Sequence, residues 1–180
     1  MSDHHHETFI SKYIFSMDHK MIAKQFLITG MFMAVVGMLM SAMFRVQLAN
    51  PGETSLLYNL LPSNWLNDTG GLNPDKYLAL VTMHGTILVF WVLTAGLSGT
   101  FANFLIPLQI GARDMASGFL NMLSYWFFFA ATVVLISSIY VETGPASAGW
   151  TIYPPLSALP EAIPGSGKGM TLWLISITLF

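Results

Sequence analysis

The chain has 180 residues, of which 54% are hydrophobic and 9% charged, with a formal net charge of −2. A soluble domain carries roughly 25% charged residues, so this composition excludes one and describes a membrane protein. The charge balance lacks the Lys/Arg clusters that binding nucleic acid requires, and the absence of cysteine excludes disulfides, thiolate ligands and iron–sulfur clusters within these residues.

The N-terminal segment MSDHHHETFISKYIF scatters charges and histidines and has no compact apolar core with a cleavage site, so it is not a secretory signal. Its triple histidine, His4 to His6, is too short for a metal site and reads as a solvated tail. The first uncharged run, Gln25 to Phe44, is as long as the about 20 helical residues that cross a hydrocarbon core. Gly30, Ala34, Gly37, Ser41 and Arg45 recur along it at helical spacing and share one stripe. Small residues so placed ordinarily serve helix packing. Arg45 admits two readings: a side chain that snorkels to the interface, or a cation closing a groove for a flat cofactor with polar substituents. Met31, Met33, Met38, Met40 and Met43 read as packing or lipid-facing surface.

After a loop punctuated by Asn50-Pro51-Gly52 and Thr69-Gly70-Gly71, the second uncharged run extends from Tyr77 to Ile106, long enough to span and tilt. It holds one imidazole, His84, in LVTMHGTILVF. An ionisable group at membrane depth is costly unless it faces a protein interior and finds a partner, which makes it a functional candidate. Two readings stand: a ligand to haem iron in a helical bundle, or a hydrogen bond across helices to a hydroxyl.

The connection Pro107 to Ser117 is short, carries Arg113 beside Asp114, and predicts a tight turn with proline confined to loops, Pro107 included. The third run, Met115 to Val141, places Asn121, Ser124 and Tyr125 on one polar face. With Asn103 and Asp114 they form a polar lane that begins at a carboxylate, suited to a file of water fed by a proton-collecting group. The plainer reading has Asp114 pair with Arg113 or cap the third helix. Trp126 to Phe129 read as lipid-facing or packing surface, and Trp150 and Tyr153, in a loop rich in proline, read as anchors in an interfacial belt. The last run, Gly169 to Phe180, rises only about 18 Å, so the natural sequence is expected to continue.

These elements predict an all-α, polytopic transmembrane helical bundle with three complete spans and the start of a fourth, over about 22–47, 77–106, 117–141 and 169–180 onward. Lys12, Lys20, Lys24 and Arg113 outnumber Arg45, Lys76 and Lys168, which places the N-terminus and the short turn in the cytoplasm and loops 48–76 and 142–168 outside. His84 and Arg45 then both lie toward the outer side, and Asp114 lies at the inner one.

In order along the chain, FSMDHK, the Ser41 to Arg45 end of the first span, VTMHGTILVF, FANFLIPLQIGARDMA, LNMLSYW and GWTIYPPLS resemble the N-terminal third or so of subunit I of the haem-copper oxygen reductases, the cytochrome c oxidase family. The resemblance implies that the chain is the N-terminal part of a larger, roughly twelve-helix subunit. It implies an oxidoreductase and translocase that passes electrons from cytochrome c or quinol through a low-spin haem to a haem-copper centre, reducing oxygen to water while protons are pumped. His84 would be an axial ligand of the low-spin haem, taken as haem a, Arg45 would contact a polar substituent on its rim, and Trp150 would sit near its propionates. Asp114 would be the mouth of a proton-uptake path whose lower part Asn103, Asn121 and Ser124 line. The high-spin haem and copper would be ligated by residues beyond Phe180. Subunits II and III, an electron donor and the lipid bilayer are the implied partners, and a bacterial inner membrane is the implied location.

The sequence departs from the family pattern in three places. Ser117-Gly118-Phe119 stands where Phe-Pro-Arg commonly follows the aspartate motif, Phe26 replaces a tyrosine on the proton route, and Gln47 replaces a glutamate, which removes a carboxylate from a peripheral cation site. Two other classes remain open: an ion or proton transporter without haem, and a non-catalytic membrane assembly subunit.

Overall fold

The computed structural model describes residues 8–159, 161–162 and 167–180, so the triple histidine lies outside the described residues. Helix α1 spans His19–Ala49, α2 spans Pro74–Ile110, α3 spans Gly118–Ser137 and α4 spans Lys168–Leu179. The first three are long and apolar enough to cross a membrane, and the described residues form no strand. Within α2 the helix is α-helical to Thr86, π-helical over Ile87–Leu97, and α-helical again from Ser98.

Local chemistry marks the ends. Asp18 caps α1 by accepting from the Met21 N–H at 3.0 Å. Pro74 opens α2, where its missing N–H costs nothing, and Gly111, with φ of 68°, closes it in a left-handed conformation that glycine adopts freely. Ser117 caps α3 by accepting from Leu120 N–H at 3.4 Å.

One expectation is corrected here. Pro107 lies inside α2, three residues before its end, so the turn begins only at Gly111. A proline removes one intrahelical bond, and near a helix end a single external donor can satisfy the carbonyl that is released. His19 supplies that donor, as described below.

Helix α1 is central, packing on α2 along its length and on α3. Gly30 and Gly96 bring the α1 and α2 backbones into contact: a Cβ on Gly30 would lie 2.9 Å from the Cα of Gly96. Here the small-residue stripe serves packing. Gly30→Val must push two backbones apart and should destabilise the protein by about 1–3 kcal/mol, read as a lower melting temperature of the purified protein. An unchanged melt would show that the contact is not required. Met33, Met40 and Met43 are buried in the core, whereas Met31 and Met38 face outward.

The 50–73 loop is clasped rather than loose. Gln47 Oε1 accepts from Leu72 N–H at 2.8 Å and from the Tyr58 hydroxyl at 3.1 Å. Burial pushes the Tyr58 phenol above its ordinary pKa, which keeps it a donor. Lys76 Nζ donates to the Thr143 carbonyl at 2.8 Å and lies 5.9 Å from the centre of the Trp65 ring, tying this loop to the one after α3. Gln47→Leu leaves a buried N–H and a hydroxyl unpaired, at about 1–3 kcal/mol each. The expected result is faster protease cleavage within residues 50–73, checked by limited proteolysis; an unaltered cleavage rate would count against the clasp.

Candidate functional site

His84 lies on α2 just before the π-helical segment and is half-buried. Its Nδ1 is 2.8 Å from the Gly37 carbonyl of α1. A carbonyl only accepts, so Nδ1 carries the proton, and in the neutral ring Nε2 keeps its lone pair. The Phe44 ring meets the imidazole edge-on at 5.4 Å and 76°, fixing its plane. An imidazole with one nitrogen donated to a backbone carbonyl and the other left as a base is the arrangement that metal-ligating histidines show. Of the two sequence readings, the hydrogen bond across helices exists, but it goes to a carbonyl and not to a hydroxyl.

Immediately after His84 the wider π-helical turns re-aim the helix faces, a feature concentrated at functional sites. Trp91 Nε1 donates to Thr132 Oγ1 at 3.0 Å and Trp173 Nε1 donates to Thr86 Oγ1 at 3.3 Å, so α3 and α4 are pinned to this stretch. Arg45 follows Phe44 in α1, is exposed, and makes no hydrogen bond or ion pair among the described residues. The Trp150 ring packs on Phe90 at 5.6 Å, beside a bond from Gly149 N–H to Thr82 Oγ1 at 3.3 Å.

At the opposite end of α1, Asp114 is exposed and borders a cavity of about 410 Å³ together with Ser11, Lys12, Ser16 and Asp18. Its Oδ1 accepts from the His19 N–H at 3.1 Å and the Met115 N–H at 2.8 Å. The carboxylate therefore caps α1, neither pairing with Arg113 nor capping α3, where a negative group is favoured by the unpaired N–H groups of the first turn. Asn103 is buried; its Nδ2 donates to Gly99 O at 2.7 Å, and its Oδ1 has no partner. Asn121 Nδ2 is likewise buried and unpartnered. Buried polar atoms of this kind are where internal water is held. Ser124 turns its hydroxyl back to the Asn121 carbonyl at 2.7 Å and is exposed, so it stands at the side of the lane.

Sequence reasoning placed Tyr125 in the polar lane but assigned nothing to His19, Thr29 or Gln25. His19 is buried at the start of α1, and its Nδ1 is 2.8 Å from the Asn103 carbonyl. Thr29 Oγ1 and the Tyr125 hydroxyl pair at 3.1 Å, and Tyr125 meets the Phe26 ring edge-on at 5.4 Å, so a phenol sits next to the position where Phe26 lacks one. Gln25 Nε2 donates to the Tyr13 and Ile14 carbonyls at 2.8 and 2.9 Å while its Oε1 is buried without a partner. In the sequence His19 stands within FSMDHK, and nothing there points to its distant partner. Around Gln47 no three His, Cys, Asp or Glu gather among the described residues.

A bundle of long apolar helices with a tautomer-fixed imidazole toward one end and a carboxylate at the other is a polytopic integral membrane protein. The sequence profile described as Cytochrome C and Quinol oxidase polypeptide I matches residues 21–180, and the chain belongs to that family. It is 40% identical over 177 residues to the alternative cytochrome c oxidase subunit 1 of Bradyrhizobium diazoefficiens, covering 98% of this chain and 27% of that protein. It is 38% identical over 168 residues to cytochrome c oxidase subunit 1 of Thermostichus vulcanus, covering 93% of this chain and 26% of the relative. A heme-copper oxidase subunit I+III of Aeropyrum pernix is 37% identical over 171 residues, covering 95% of this chain and 18% of its own length. The chain spans about a quarter of the length of the first two relatives.

Proposed function

We propose that this chain is the N-terminal part of the catalytic subunit of a proton-pumping terminal oxidase that takes electrons from cytochrome c or quinol and reduces oxygen to water. The observation that carries it is the His84 ring, with Nδ1 held on Gly37 O and Nε2 left as a base. A low-spin haem, when bound, supplies one-electron redox chemistry. His84 Nε2 would ligate its iron, Arg45 would meet a polar group on its rim, and Trp150 would stand toward its propionates. Haem a is the type we assign, and the high-spin haem and copper would be held by other parts of the subunit.

In this reading Asp114 collects protons, and Asn103, Asn121 and Ser124 flank the water that carries them inward. The N-terminus and the 111–117 turn face the cytoplasm of a bacterial cell, and the loops after α1 and α3 face outward, with subunits II and III as neighbours. The unpartnered Asn103 Oδ1 and Asn121 Nδ2 support a hydrated lane. The test is a reduced-minus-oxidised absorption spectrum of the intact purified protein. A low-spin haem band and oxygen consumption are expected, and a spectrum without haem would favour a transporter.

A further inference from the structure

One buried residue bonds to both Asp114 and Asn103. His19 is 1% exposed, and its main-chain N–H donates to Asp114 Oδ1 at 3.1 Å. Its ring Nδ1 is 2.8 Å from the main-chain oxygen of Asn103, an acceptor, so the ring is the donor. That carbonyl is available because the residue four places on is Pro107, which has no N–H to close the helix bond and whose ring crowds the same oxygen. The sequence Asn103-Phe104-Leu105-Ile106-Pro107 thus makes the acceptor, and His19 fills it.

We propose that His19 is a positioning residue for proton uptake: through one backbone bond and one ring bond it holds Asp114 and Asn103 in register across α1, the last turn of α2 and the 111–117 turn. This rests on the reading of Asp114 as the proton mouth. Without the ring bond α1 loses its tie to the Asn103 carbonyl, and the segment Pro107–Ile110 is freed to shift against α1, carrying Asp114 with it. Small displacements of proton-transfer groups have disproportionate effects on rate.

The experiment measures proton uptake and donor KM of the intact oxidase in vesicles. His19→Leu should slow uptake about tenfold with the haem spectrum and donor KM unchanged, and His19→Asn, whose Nδ2 can occupy the place of Nδ1, should restore most of the rate. Pro107→Ala offers the carbonyl an N–H of its own and keeps His19, so it should slow uptake by the same route. The double variant should then be no slower than His19→Leu alone, since both act on one bond. Wild-type uptake in His19→Leu, or no rescue by His19→Asn, or effects that multiply independently, would each overturn the assignment. If His19→Leu does not assemble, wild-type uptake in Pro107→Ala overturns it and slowed uptake supports it. Asp114→Asn in parallel separates the two readings: slow uptake there with normal uptake in the His19 variants removes only His19's role, and normal uptake there removes the proton mouth itself.

Discussion

His84→Ala is expected to abolish the low-spin haem band in the reduced-minus-oxidised spectrum and to lower the ratio of haem to protein. Nδ1 is committed to the Gly37 carbonyl at 2.8 Å, and the Phe44 ring fixes the plane, so Nε2 is presented in one direction with its lone pair free. Alanine removes the base and leaves the carbonyl satisfied by its own helix, so the loss is chemical rather than structural. Helices α1 and α2 remain held by the Gly30–Gly96 contact and the Met33, Leu80, Met83 and Ile87 core. A full band in the alanine variant would sink the ligand role. A gentler variant, Gly37→Ala, places a Cβ 3.0 Å from Leu88 Cδ2 and 3.3 Å from Ile87 Cγ2, which shifts the carbonyl and should alter the band without removing it.

The second large effect is expected at Asp114. Asp114→Asn keeps an oxygen where Oδ1 accepts from His19 and Met115, so the cap on α1 survives while the group that takes up and releases a proton is lost. General acid–base groups of this kind are worth about a hundredfold, so turnover and proton translocation should fall by about that factor with the haem spectrum intact. Stopped-flow proton uptake and pumping in reconstituted vesicles measure it, and pumping at the wild-type rate would refute the role. Asp114→Ala removes the cap as well, and its additional loss, if measured as lower thermal stability, reports the capping part alone.

Much of this was legible from residue types. Long uncharged runs declare membrane helices, because no polar group can be left unpaired in hydrocarbon, and the lone imidazole within one run stands out as a candidate for the same reason. Asp114 beside Arg113 in a short connection was visible too, although not its partner. Other features were hidden. Pro107 reads as a loop residue until an external donor stabilises it inside a helix, and the π-helical stretch Ile87–Leu97 is apolar throughout, so no change of periodicity announces it.

The division has a physical origin. Composition, hydropathy and capping residues act locally, and they determined by themselves that this is a helical membrane protein, and that one imidazole, His84, stands alone in a long uncharged run. Partnerships that join residues far apart depend on how α1 packs against α2 and the turn after it. Only the tertiary structure decided that the His84 proton goes to Gly37, that Asp114 caps α1, and that Trp150 sits on Phe90. It also decided that His19 closes the gap Pro107 leaves, since a freed carbonyl and the imidazole that satisfies it are 84 residues apart and no local pattern relates them.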